Sequence, residues 1–80
     1  MITIKLYGLI REQSGHKQLQ VEAATVRGVM AQASLQGIDK KLFRQAIIFV
    51  NGEQISGINR FAYKLKDGDE LSLLSALSGG

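Results

Sequence analysis

Few groups in this chain of 80 residues could make or break a bond. There is no cysteine, which removes disulfides, thiolate metal sites, iron–sulfur ligation and cysteine nucleophiles together. A single histidine, His16, cannot build a multi-imidazole metal site. It follows Gly15 near a strand start, where a lone histidine is an exposed side chain far more often than a catalyst. Asp67, Asp69 and Glu70 cluster three carboxylates. Asp67-Gly68 is explained by turn chemistry, and one short acidic run falls short of a calcium loop. What remains is the main-chain end, Ser75-Ala76-Leu77-Ser78-Gly79-Gly80. Without Cβ atoms, Gly79 and Gly80 pass through narrow channels and adopt backbone angles closed to other residues. The carboxyl of Gly80 is therefore the candidate reactive group, Gly79 its slim neighbour, and Leu77, next to the small Ser78, a candidate docking anchor. A terminal carboxylate, with a pKa of about 3.5, is ionised at neutral pH and a poor electrophile. Chemistry at Gly80 thus requires activation. A terminal Gly-Gly by itself is only a frayed end, so the rest of the sequence must decide.

The length suits one domain, residues 1–80, with a flexible tail over about 75–80. A chain of this size buries only about 60% of its unfolded surface, which leaves little room for a deep active site of its own. Apolar residues make up 45% and charged residues 21%, as in an ordinary globular domain. The longest apolar run, Ala46 to Val50, is far too short to span a bilayer. Met1 to Lys5 alternates like a strand and lacks the basic and apolar blocks of a secretory signal. A cytoplasmic protein without membrane contact is expected. The net charge is +3, with lysines and arginines spread along the chain. The densest group, Lys40, Lys41 and Arg44, reads as a solvated face, as does the Arg11-Glu12 pair, and no nucleic-acid partner is expected.

The elements that must position the tail can be placed from periodicity. Ile2, Ile4 and Leu6 alternate with polar residues, giving a first strand. Gly8 to Gly15 reads as a connection, and Lys17 to Val21 as a second strand in a hairpin with the first. Thr25 is a candidate N-cap for a helix whose apolar stripe is Val26, Val29, Met30 and Ala33, with Gly37 as its C-cap. Asp39 to Arg44 is a loop or a short helical turn. Ile47 to Val50 is a third strand, Asn51-Gly52 suits a type I′ hairpin turn, and Glu53 to Ile55 returns. Ser56 to Tyr63 is irregular, and Asp67-Gly68-Asp69 turns into a last strand from Glu70 to Leu77. This order gives an α+β domain, a mixed sheet of four to five strands packed on one main helix in the β-grasp arrangement. If Leu71, Leu73, Ile47 and Phe49 face the helix, Ile48 and Leu74 form an apolar patch on the outer face beside the tail.

Four stretches in order resemble the MoaD/ThiS family of ubiquitin-like sulfur carriers. They are the strand, Arg-Glu and glycine run of Leu6 to Gly15, Thr25-Val26 at the helix start, the Val50-Asn51-Gly52 turn, and Asp67-Gly68-Asp69-Glu70 leading to Gly79-Gly80. The first is closer to the small subunit of molybdopterin synthase than to thiazole carriers, whose first turn is shorter. The family often has proline shortly before its last residues, where this chain has Ser75-Ala76-Leu77. The resemblance implies a protein that is not catalytic alone and binds no cofactor permanently. A ubiquitin-activating-like enzyme would spend ATP to adenylate Gly80, a sulfur-donating enzyme would convert the adenylate into a thiocarboxylate, and the molybdopterin synthase large subunit or another acceptor enzyme would take the sulfur. With no cysteine in the chain, the terminal carboxyl is the only place for that sulfur. Delivery to thiamine thiazole, to transfer RNA or to another metabolite is the alternative within the same chemistry. A ubiquitin-like modifier joined through Gly80 to a lysine is a different class. A non-covalent β-grasp module that binds RNA ranks last, because Tyr7, Phe43, Phe49, Phe61 and Tyr63 are scattered.

Overall fold

The computed structural model describes residues 1–75. Five strands form one sheet: β1 (Ile2–Tyr7), β2 (Gln18–Val21), β3 (Ile47–Val50), β4 (Glu53–Ile55) and β5 (Glu70–Leu74), in the order β2-β1-β5-β3-β4. β1 runs antiparallel to β2 and parallel to β5, and β3 runs antiparallel to both β4 and β5. The last strand therefore lies in the middle of the sheet. Three helices, α1 (Leu9–Ser14), α2 (Val26–Ser34) and α3 (Lys40–Gln45), complete the fold with a 3-10 turn at Arg60–Ala62. It is an α+β mixed sheet on one main helix, in the β-grasp arrangement.

α2 forms where its signals stand. The Thr25 hydroxyl accepts a hydrogen bond from the Gly28 amide at 3.1 Å, satisfying one free donor of the first turn. Val26, Val29, Met30 and Ala33 are buried on one side. Beyond Ser34, the Gly37 amide bonds the Ser34 carbonyl and the Ile38 amide bonds that of Ala33, so Gly37 closes the helix end as a Schellman turn. The α2 stripe joins Ile2, Ile4 and Leu6 of β1, Leu71 and Leu73 of β5, and Ile48 and Val50 of β3 in one core.

Two segments differ from the sequence expectation. Gly8 to Gly15, expected as a plain connection, is mostly α1. Its six residues are too few to show a helical period, yet the turn lets Ile10 enter the core while the Glu12 main-chain amide donates to the Gly8 carbonyl and the Gly15 amide to that of Arg11. The last strand ends at Leu74; its expected extension to Leu77 passes out of the described residues at 76. The charged stretch before β3 is the short helix α3, capped by Asp39, whose carboxylate accepts from the Lys41 amide at 2.8 Å.

Two turns are locked to each other. Asn51 and Gly52 both have positive φ, 51° and 85°, as a type I′ hairpin turn demands. The Asn51 carboxamide then donates to Asp69 at 3.0 Å and accepts from the Glu70 amide at 2.9 Å, while its own amide donates to the Glu70 carbonyl at 2.8 Å. The other Asp69 oxygen accepts from the Lys66 amide at 2.8 Å. The turn between β3 and β4 thus fixes the turn that launches β5.

Candidate functional site

The candidate reactive group is carried by β5, and β5 is hydrogen-bonded on both sides. Its register sets Leu74 opposite Tyr7 of β1 and Ile47 of β3, and Leu73 opposite Leu6 and Ile48. The sheet pleat sends alternate residues to opposite faces. Leu71 and Leu73 enter the core, so Leu74 points outward and is 39% exposed. Gly80, Gly79, Ser78 and Leu77 all lie outside the described residues.

The apolar patch beside the tail has a different membership from the expected one. Ile48 is fully buried, packed inward level with Leu73, and is not on the outer face. Its neighbours Ile47 and Phe49 are the outward, half-buried residues. The error is one of phase. Every residue from Ile47 to Val50 is apolar, so the sequence offers no polar alternation to say which pair faces in. Pairing settles it, because Ile48 is level with buried Leu73 and Val50 with buried Leu71. The outer row at the root of the tail is therefore Tyr7, Leu74 and Ile47, across three adjacent strands, with Phe49 one pleat further along. Tyr7 was not among the sequence candidates. The available signal was its place at the end of β1, one residue past the inward Leu6.

The same face changes character along its length. Away from the tail, Lys5 pairs with Glu70 at 3.3 Å, a partly exposed ion pair of small energetic weight. The apolar end and the end from which the chain leaves the sheet therefore coincide. On the other flank of the root, Leu9, Ile10 and Gln13 of α1 face Leu42, Gln45 and Ala46 at the α3 end across a small groove that Ser75 also lines. Gly8, between the patch and the groove, has φ 66° and ψ −141°, a conformation that strains residues with a Cβ. A Cβ there would stand 3.4 Å from that of Ser75.

The acidic turn serves structure. Asp69 is held below the ordinary aspartate range, first by the hydrogen bond from the Lys66 amide and then by that from the Asn51 carboxamide. Among the described residues no three metal-ligating side chains converge. His16 sets Nε2 3.1 Å from the Gln36 carbonyl, tying the start of β2 to the turn after α2. Arg60 is also structural, donating to the carbonyls of Gly57 and Arg44 and standing over Phe61. No helix among the described residues is long and apolar enough to cross a membrane.

A five-stranded mixed sheet wrapped on one main helix is the ubiquitin-like β-grasp fold. The family model of the ThiS family matches residues 4–80, and the chain belongs to that family of small sulfur carriers. Among solved structures, a chain of the Amycolatopsis orientalis BexX/CysO complex superposes with a TM-score of 0.81 at 24% identity, covering 100% of both chains. The small archaeal modifier protein 1 of Methanosarcina acetivorans gives 0.81 at 23% identity, covering 99% of this chain and 95% of that one. A chain of the complex between subunits 1 and 2 of the molybdopterin-converting factor of Helicobacter pylori gives 0.71 at 23%, covering 99% and 97%. Likeness at these identities establishes the fold. Among curated protein sequences none matches the chain.

Proposed function

We propose that this protein carries sulfur as a thiocarboxylate on Gly80 and delivers it to molybdopterin synthesis. The observation that carries the reading is the family match, which runs through residue 80 and so includes Gly79-Gly80. The chemistry follows from the carboxylate. One of its oxygens attacks the α-phosphorus of ATP held by an adenylating enzyme, and pyrophosphate leaves. A hydrosulfide equivalent from a sulfur-donating enzyme then attacks the acyl carbon, and AMP leaves with the bonding pair. The thiocarboxylate is a soft nucleophile. It attacks an activated carbon held by an acceptor enzyme, and hydrolysis returns the carboxylate. The carrier supplies no acid, base or metal; it positions one atom. Tyr7, Leu74 and Ile47 give partners an apolar face beside the tail to dock on.

Two observations favour molybdopterin as the destination. The connection between β1 and β2 is long, as the resemblance of Leu6 to Gly15 implied, and it also carries α1. Subunit 1 of a molybdopterin-converting factor, from Helicobacter pylori and from Pyrococcus furiosus, shares the fold. The modifier protein that also shares it keeps open a second reading, conjugation of Gly80 to lysines.

Intact-mass measurement on protein purified from cells with its native C-terminus tests the carrier. A species in which one oxygen is replaced by sulfur, absent after deletion of Gly80, supports it. Conjugates that survive denaturation and vanish with the same deletion support the modifier reading. Full activity without Gly79 and Gly80 refutes both. Mixing the thiocarboxylated protein with a molybdopterin synthase large subunit and its precursor then tests the destination; no product there, with transfer to another acceptor, refutes it.

A further inference from the structure

We propose that Asn51-Gly52 is a site of spontaneous deamidation, guarded by the hydrogen bonds of Asn51 to Asp69 and Glu70, and that its modification undoes the join between the β3–β4 turn and β5. The chemistry is that of the turn alone and does not depend on the fate of Gly80.

The pair has the composition that this chemistry needs. Solvent hydroxide takes the proton of the Gly52 amide, the nitrogen attacks Cγ of Asn51, and the side-chain nitrogen leaves as ammonia after taking a proton from water. The product is a cyclic succinimide, which water opens at either carbonyl to leave aspartate or isoaspartate at position 51. One water enters and one ammonia leaves, and nothing is oxidised or reduced. A glycine after the asparagine puts no Cβ in the path of attack. Both residues are exposed, and the Gly52 amide has no hydrogen-bond acceptor among the described residues. The space where a Gly52 side chain would stand is open. The chain's other asparagine, Asn59, is followed by the bulky Arg60.

The fold holds the reaction off. The Asn51 carboxamide donates to Asp69 at 3.0 Å and accepts from the Glu70 amide at 2.9 Å, and the Asn51 main-chain amide donates to the Glu70 carbonyl at 2.8 Å. Attack requires the carboxamide to turn back over its own following peptide, which breaks its two bonds to β5. Deamidation therefore draws only on molecules in which this turn has opened. Once it has happened, the turn does not close as before. An ionised aspartate has no proton to donate, so two carboxylates face each other across the 3.0 Å that the hydrogen bond spanned. Isoaspartate adds a methylene to the main chain of a turn whose register pairs Val50 with Glu53. Either product frees Asp69 from Asn51, and the other oxygen of Asp69 is the one that holds the Lys66 amide in the turn leading into β5.

The test is peptide mapping by mass spectrometry of the full chain held at mildly alkaline pH, with the amide-to-acid mass change scored at Asn51 and, as an internal reference, at Asn59. In denaturing urea the wild type should convert at Asn51 well ahead of Asn59. The folded wild type should convert at Asn51 roughly tenfold or more slowly than in urea, because a hydrogen bond to a charged group holds the turn shut. Asp69→Ala should recover most of that factor, and Asp69→Asn, which keeps a neutral acceptor, should fall between. Thr25→Ala, which weakens the domain at α2 without touching the turn, should stay within about twofold of the wild type. Circular dichroism checks that each variant folds, and Asn51→Asp should fold and melt several degrees below the wild type. Conversion of the folded wild type at the urea rate, an Asp69→Ala rate equal to that of the wild type, or an equal rise in Thr25→Ala overturns the proposal, the last because modification would then need global unfolding. If Asp69→Ala does not fold, Asp69→Asn decides, and a rate no faster than wild type overturns the guard. Wild-type melting of Asn51→Asp overturns the loss of the join.

Discussion

Replacing Ile47 and Ile48 by alanine, one at a time, separates docking from folding at two adjacent positions. Ile48 is fully buried, between Leu73 of β5 and Ile55 of β4 in the register. Truncating a buried isoleucine to alanine costs about 2–5 kcal/mol, through lost transfer energy and the cavity left behind. A domain of this size has a total stability of roughly 4–12 kcal/mol, so Ile48→Ala removes about a sixth of it or more. At about 4–8 °C per kcal/mol, the thermal midpoint should fall by roughly 10–30 °C. Ile47 is half-buried on the outer face beside Leu74. Losing part of its contact area costs about 1 kcal/mol or less in stability. Its loss from a desolvated interface should instead cost about 1–2 kcal/mol of partner binding, roughly a five- to thirtyfold rise in the KM of adenylation. Circular dichroism melts and pyrophosphate exchange read the two quantities separately. The reasoning is refuted if Ile48→Ala melts within a few degrees of the wild type, or if Ile47→Ala melts as early as Ile48→Ala.

Further outcomes follow from single contacts. Thr25→Ala removes the hydroxyl that caps α2 and should cost about 1 kcal/mol in urea unfolding, leaving sulfur transfer intact. The lowered pKa of Asp69 contributes stability that is fully present above the ordinary aspartate value of about 3.9 and lost as pH falls through the lower folded value. The contribution of Asp69 to wild-type melting should accordingly be constant with pH near neutrality, and Asp69→Asn should flatten the part of the acid limb below about pH 4 that this residue contributes. Gly8→Ala forces a Cβ onto a positive-φ turn against Ser75 and should lower the thermal midpoint by several degrees, at a cost of at least about 1–2 kcal/mol. Two glycines inserted between Ser75 and Ala76 should leave the KM of adenylation near wild type and lower kcat, because docking is kept while the carboxylate is less confined; unchanged kcat would show that the tail length is not set by reach.

Most elements were legible because their signals are local. Thr25 caps in the way its hydroxyl suggests, the stripe from Val26 to Ala33 is buried, and Asn51-Gly52 turns with both residues at positive φ. The missed parts are those that need a neighbour to define them. α1 is under two turns long, and its one buried residue, Ile10, leaves no period. The inward phase of β3 was undecidable from four apolar residues in a row and is decided by β5, more than twenty positions later. That one-residue slip moved the patch from Ile47 to Ile48. It is the general hazard of a strand with no polar face, since a shift of one position exchanges both sides of the sheet. The proposed reactive end, the Gly80 carboxyl, lies outside the described residues; its choice rests on the family resemblance together with the absence of cysteine.

The strand order explains why the tail is aimed from where it is. An edge strand is held by one ladder and its end can peel; β5 is held by β1 on one side and β3 on the other, and its entry is fixed by the Asn51–Asp69 lock. The chain therefore leaves the sheet, after Leu74, from a strand hydrogen-bonded on both sides. Residues 76–80 can span at most about 17 Å when fully extended. Any enzyme that reacts with Gly80 must therefore bring its chemistry within that distance of the root, and its surface has to meet what surrounds the root: Tyr7, Leu74 and Ile47 on one flank, and Leu9 and Leu42 on the other. On the proposed chemistry, different acceptors could share one carrier only if each placed its reacting atom inside the same small radius, so partner choice would lie in the apolar groups at the root.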